Sequence, residues 1–225
     1  MNEKVSPIAK RAVIVALCIN LLAGAQYCWS MLGSTLMEQY NWTATQASLP
    51  YSVMMIVTSL WAIVVGVVAD KMGPNKMIRV GAVCIAASLT IAGRTSNWWL
   101  MMFAIGILMA VASTSFTSNT SSTAVKFMPL KYKGLATGLV GAGMGWTSFY
   151  MAPMINGLMD VISVANTFTI IGVGCGVIIF ILSYLLPNPI DHPELVVADT
   201  RGAESADHSK FKDSIQTVGP RQTHE

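Results

Sequence analysis

Six apolar runs, each long enough to cross a lipid bilayer, constrain this chain more than any other feature. They fall near residues 12–32, 49–69, 77–93, 98–123, 134–159 and 166–186. A hydrocarbon core about 30 Å thick takes roughly 20 apolar residues of helix, and a backbone shielded from water must satisfy its own polar groups. The pattern predicts an all-α integral membrane protein of six transmembrane helices in a lipid bilayer. Composition leaves little for anything else, since 53% of residues are hydrophobic and only 11% are charged. The expected organisation is an amino-terminal arm at 1–11, a six-helix domain at 12–187 and a polar tail or interdomain linker at 188–225.

Basic residues predict the orientation, because cytoplasmic loops retain Lys and Arg. One side carries Lys4, Lys10, Arg11, Lys71, Lys76, Arg79, Lys126, Lys131 and Lys133, while the opposite loops carry only Arg94. Both termini are therefore expected in the cytoplasm, with the chain in the cell membrane as a multi-pass protein. The tail mixes Asp191, Glu194, Arg201, Lys210, Lys212 and Asp213, which fits a solvated linker better than a lipid-binding basic patch. Ala23-Gly24-Ala25 after an apolar stretch imitates a signal-peptidase site. The run continues past it to Leu32, and Asn20 interrupts it, which favours a membrane span.

Several function classes drop out. Cys18, Cys28, Cys84 and Cys175 lie far apart in the apolar spans, and His192, His208 and His224 lie in the tail at no metal-binding spacing. No metal, cofactor or nucleic-acid partner is expected. Asn41-Trp42-Thr43 fits the glycosylation pattern, which matters only in a secretory pathway that nothing else supports. No span holds an ionisable residue well inside the hydrocarbon, where such groups mark proton relays and ion sites. No catalytic residue is expected, since no nucleophile, base and orienting group can be assembled there.

Neutral polar groups take the place of charges. In the first span Asn20, Gly24, Tyr27 and Met31 share one helical face, with Gln26 and Trp29 beside it. Two readings stand: hydrogen bonds between helices, or the lining of a water-filled cavity. The fourth span ends in a Ser/Thr-rich stretch, where hydroxyls bond back to the preceding turn and Thr117 and Asn119 are candidate cavity residues. In the fifth, Gly134, Gly138, Gly141 and Gly145 form two G-x-x-x-G pairs expected to let helices approach, and Pro153 is expected to kink the helix.

The loop Gly66-Val-Val-Ala-Asp70-Lys71-Met-Gly73-Pro74-Asn-Lys76 joins the second and third spans. Gly66 and Gly73 permit close approach and a tight turn, and Pro74 suits a first helical turn. Asp70 can face a helix amino terminus or a basic side chain. The spacing G-x-x-x-D-[KR]-x-G-x-x-[KR] resembles the loop between the second and third helices of the major facilitator superfamily.

Further segments resemble the oxalate/formate antiporter family within that superfamily: Gly24-Ala-Gln26-Tyr27-Cys-Trp29-Ser30, Asn41-Trp42-Thr-Ala-Thr-Gln46, Phe127-Met-Pro129 and Gly134-Leu-Ala-Thr-Gly138. The resemblance covers about residues 12–190. It implies a twelve-helix carrier of small carboxylates such as oxalate, formate, lactate or pyruvate, of which this chain is the amino-terminal half. It implies Gln26 and Tyr27, with Trp29, Asn20, Thr117 and Asn119, as substrate-facing residues, and Gly66, Asp70, Lys71, Gly73 and Lys76 as a gating loop. A second six-helix half, separate or a second copy, is the implied partner, supplying the basic groups missing here. Two departures stand out: Thr117 and Met144 where the oxalate carrier has aromatic residues, and Asn75 where the family has Arg. The alternative is a six-helix subunit or remnant that transports nothing by itself.

Overall fold

The computed structural model describes residues 6–29, 33–35, 37, 41–189 and 191, the side chains of Tyr27 and Cys28 excepted. Met31, Leu32 and the tail beyond Asp191, with its charged residues and histidines, lie outside the described residues. Among those described, the chain is built from six long helices: α1 (Pro7–Ala23), α2 (Ala44–Met72), α3 (Pro74–Arg94), α4 (Trp98–Lys126), α5 (Lys133–Met159) and α6 (Val164–Leu185).

Local chemistry sets the ends, and at two helices it moves them away from the apolar runs. Ser6 accepts from the Ala9 N–H at 3.1 Å and Pro7 opens the first turn, so α1 starts several residues before its apolar run and carries Lys10 and Arg11. Thr43 and Gln46 form a reciprocal capping box that starts α2 at Ala44, ahead of Pro50. Gly73 ends α2 with φ 87°, a conformation open to glycine, and Pro74 starts α3 at once. Among the described residues, five helices are long and apolar enough to span a membrane. The remaining one, α5, has 27 residues, but its glycines dilute its apolarity.

Helices α1 and α4 are central. The first packs on α4, α5 and α6, and the second on α1, α2, α3 and α5. The most extensive pairing is α3 with α6. It is seated by Gly172 and Gly176: a Cβ on Gly176 would lie 2.8 Å from the Ala82 carbonyl, and one on Gly172 2.6 Å from Leu89 Cβ. In contrast, Gly134, Gly138, Gly141 and Gly145 have open space where a side chain would stand. The expectation for α5 is thus corrected, because its paired glycines meet no other helix among the described residues. Gly143 alone in that stretch is tight, against Leu17 and Asn20 of α1. Pro153 is accommodated within α5.

The hydroxyls behave as their chemistry predicts. Thr114, Thr117 and Thr120 bond back to the carbonyls four residues earlier, at 2.8, 2.9 and 2.7 Å. Helix α4 is irregular at Met102–Met109, where it widens into a π-helix. There Ser88 of α3 donates to the Ala104 carbonyl at 2.7 Å.

Candidate functional site

Midway through the bundle α1 changes its winding. After Ala23 it tightens into a 3₁₀ turn over Gly24–Cys28. There it crosses α5 closely: a Cβ on Gly24 would clash with Thr147 Oγ1 and fall 2.7 Å from the Met144 carbonyl. At this crossing Thr147 Oγ1 and the Tyr150 hydroxyl both donate to the Leu21 carbonyl, at 2.5 and 2.7 Å. Side chains that take a helix carbonyl in this way loosen the regular ladder.

The tightened turn carries Gln26 into the interior. Its residue is 6% exposed, and Oε1 is buried with no hydrogen-bond partner among the described residues. It faces a cavity of about 20 Å³ to which all six helices contribute, including Met54, Leu89, Ile105, Ile155 and Phe168. A buried water needs about 10–15 Å³ of such volume. The space thus holds about one water, and a carboxylate would need it to widen. Ile105 belongs to the π-helical stretch of α4, so both local irregularities of the bundle border this cavity. No sequence signal marked the π stretch; its neighbours are plain apolar residues.

The other substrate-facing candidates are dispersed. Asn20 is fully buried; its Nδ2 donates to the Val140 carbonyl at 2.9 Å and its Oδ1 accepts from Thr120 at 3.0 Å, tying α1 to α5 and α4. Of the two readings offered for a neutral polar stripe, Asn20 follows the interhelical one. Trp29 lines the Gln26 cavity and donates from Nε1 to the Ala47 carbonyl of α2 at 3.2 Å. Trp98 of α4 donates to the adjacent Gln46 carbonyl at 2.9 Å, so two indoles hold the first turn of α2. Asn119 is buried and bonded within its own helix, to the Ser115 carbonyl at 2.7 Å. Thr117 is exposed, 3.7 Å from Met144 Sδ. The two positions that depart from the oxalate carrier's aromatics are therefore neighbours. The Tyr27 side chain lies outside the described residues.

The expected Gly66–Lys76 loop is corrected: capping by Gly73 lets the two helices meet with only that residue between them, and Asp70, in the last turn of α2, meets Lys126 at the end of α4, Oδ1 to Nζ 4.0 Å, with the carboxylate side chain 78% exposed. Lys71 is exposed in the last turn of α2. Gly66 has nothing within 4 Å of a Cβ position, so the close approach expected there does not occur among the described residues. Asn75 donates to the Leu186 carbonyl at 2.8 Å, closing the end of α6. An ion pair this exposed contributes about 0–1 kcal/mol. Asp70→Asn is expected to shift the melting temperature by no more than roughly 2–4 °C, as read by thermal unfolding in detergent.

A family profile described as the Major Facilitator Superfamily matches residues 15–214. This chain belongs to that superfamily. Among curated relatives, the oxalate:formate antiporter of Oxalobacter formigenes is 21% identical over 184 residues, 79% of this chain and 42% of the relative. An uncharacterized MFS-type transporter of Methanocaldococcus jannaschii is 30% identical over 146 residues, 65% of this chain and 37% of that protein. The chain spans about two fifths of the length of these relatives.

Membership agrees with the fold: among the described residues this major facilitator chain is a bundle of six long helices, five of them long and apolar enough to span a membrane. Within it, Gln26 and Trp29 share the central cavity. Asn20 and Asn119 are buried in bonded positions, and Thr117 opens outward beside α5.

Proposed function

We propose that this chain is the amino-terminal half of a secondary transporter for small organic anions, with both termini cytoplasmic, working by alternating access against a second six-helix half. The observation that carries the reading is the Gln26 carboxamide, buried on the 3₁₀ turn that continues α1 with its oxygen unpartnered among the described residues. Such a group costs about 1–3 kcal/mol unless a ligand or water completes it. A carboxamide turned about its last bond offers N–H donors in place of oxygen, which is what a carboxylate accepts from. The name of the Oxalobacter relative, an oxalate:formate antiporter, supports mono- and dicarboxylates as the substrate class. The open glycine face of α5 and the exposed Gly66 face of α2 are where the second half would seat.

The second reading, a six-helix subunit with no transport of its own, draws on the same open faces. Proteoliposomes separate the two. The chain together with the remainder of the native gene product or its partner half is expected to accumulate labelled formate or oxalate saturably, and the chain alone to do so far less. Absence of uptake in both preparations would favour the subunit reading. Gly138→Trp is expected to leave the melting of the isolated chain within about 0.5 kcal/mol, as for a surface change. In the same assay it is expected to cut uptake by the two-half assembly at least tenfold. Unchanged uptake would remove α5 from the junction.

A further inference from the structure

The lysine- and arginine-rich end of the bundle holds a cavity of about 440 Å³ between α1, α3 and the end of α6. Arg11, Lys76 and Arg79 line it with Asp191, three cations against one carboxylate. The Asp191 carboxylate accepts from Asn188 at 3.2 Å, and none of the three cations forms an ion pair among the described residues. Arg79 donates from Nε to the Asn75 carbonyl at 3.3 Å and lies 4.7 Å from the centre of the Tyr184 ring. Asn75 Oδ1, also in this wall, is buried without a hydrogen-bond partner.

A second cavity begins one turn deeper along the same pair of helices. It is an open groove of about 480 Å³ between α3 and α6, floored by Ala82, Ala86 and Ala87 and walled by Val173, Val177 and Phe180. The small α3 residues make it deep. Phe180 stands edge-on to Tyr184, ring centres 5.6 Å apart. The two aromatic rings thus join the basic cavity to the apolar groove. From Arg79 to Ile91 at the groove's far end is twelve residues of helix, or about 18 Å. One leaflet of a hydrocarbon core about 30 Å thick is close to that depth.

We infer that these two cavities form one site for an anionic phospholipid, its phosphate among Arg11, Lys76 and Arg79 and an acyl chain along the α3–α6 groove. The net positive charge selects the head group, and basic pockets between transmembrane helices are suited to such lipids. The groove selects a lipid over a free anion, because inorganic phosphate has nothing to place there.

Native mass spectrometry of the detergent-purified full chain tests this with dioleoylphosphatidylglycerol, dioleoylphosphatidylcholine and inorganic phosphate as probes. One saturable phosphatidylglycerol adduct is expected, with phosphatidylcholine at least tenfold weaker. Each cation near a membrane surface is worth roughly fivefold in affinity, so Lys76→Gln with Arg79→Gln is expected to weaken the adduct by ~25-fold. Ala87→Trp, which fills the groove from a partly exposed position and leaves every cation in place, is expected to weaken it comparably. Equal retention of the two lipids would overturn the site. So would competition by inorganic phosphate with no effect of Ala87→Trp, which would leave a phosphate pocket only. Retention that appears only after removal of residues 192–225 would assign the pocket to the chain's own tail, and the lipid reading would fall.

Discussion

Replacing Gly24 with valine is expected to unseat α1 from α5 and to leave little folded protein at 37 °C. The nearest atoms to the new Cβ would be Thr147 Oγ1, then Thr147 Cβ at 2.5 Å and the Met144 carbonyl at 2.7 Å. A hydroxyl can rotate, but a backbone carbonyl in mid-helix cannot retreat without carrying α5 with it. Separation would also break the bonds from Thr147 and Tyr150 to the Leu21 carbonyl. Overpacking in a tight core costs about 1–3 kcal/mol, and two lost hydrogen bonds add about 1 kcal/mol each. Melting is expected to fall by roughly 6–12 °C for each 3 kcal/mol lost, read by fluorescence-detected size exclusion after heating. A valine variant that melts with wild type would mean that this crossing is looser than the distances imply.

Gln26→Leu is expected to move stability and function in opposite directions. Leucine fills nearly the same volume and leaves no unpartnered oxygen in the cavity shared by Met54, Leu89 and Phe168. The folded bundle is therefore expected to gain about 1 kcal/mol, a rise of roughly 2–4 °C in melting temperature. Uptake of a small carboxylate by the two-half assembly is expected to drop at least tenfold, since leucine offers no hydrogen bond. A leucine variant that transports at the wild-type rate would place the substrate elsewhere and leave Gln26 as a structural residue.

These contrasts show what a single chain reveals in advance. Helix number and type were legible because each run is long and almost uninterrupted, so one physical requirement, a self-satisfied backbone in lipid, decides it. Helix starts were less legible. Ser6-Pro7 and the Thr43/Gln46 box lie outside the apolar runs, and caps respond to local hydrogen bonding rather than hydropathy. Glycine spacing misled in α5 because G-x-x-x-G says that a helix can be approached and not which helix does so. The pair that seats α3 on α6, Gly172 and Gly176, has the same spacing and went unremarked.

The candidate site divides in the same way. Gln26 stands out as an amide in an apolar span, yet it is buried on a 3₁₀ turn that packs against Thr147, more than a hundred residues away in sequence. The π-helical stretch of α4 has no signature in its own composition. Asp70 was recognisable as a carboxylate in need of a basic partner, but Lys126 becomes that partner only because α2 and α4 lie side by side.

The two indoles at the start of α2 hold one end of that helix, and Gly73 alone joins its other end to α3. Trp29 and Trp98 grip the carbonyls of Ala47 and Gln46, whereas along 29 residues only Ala47, Pro50, Met54 and Val65 are buried. From Gln46 to Asp70 is about 36 Å of helix, so a swing of about ten degrees about the indoles would carry Asp70 through roughly 6 Å. The carboxylate and Lys126 stand 4.0 Å apart, so a swing of that size would break their contact.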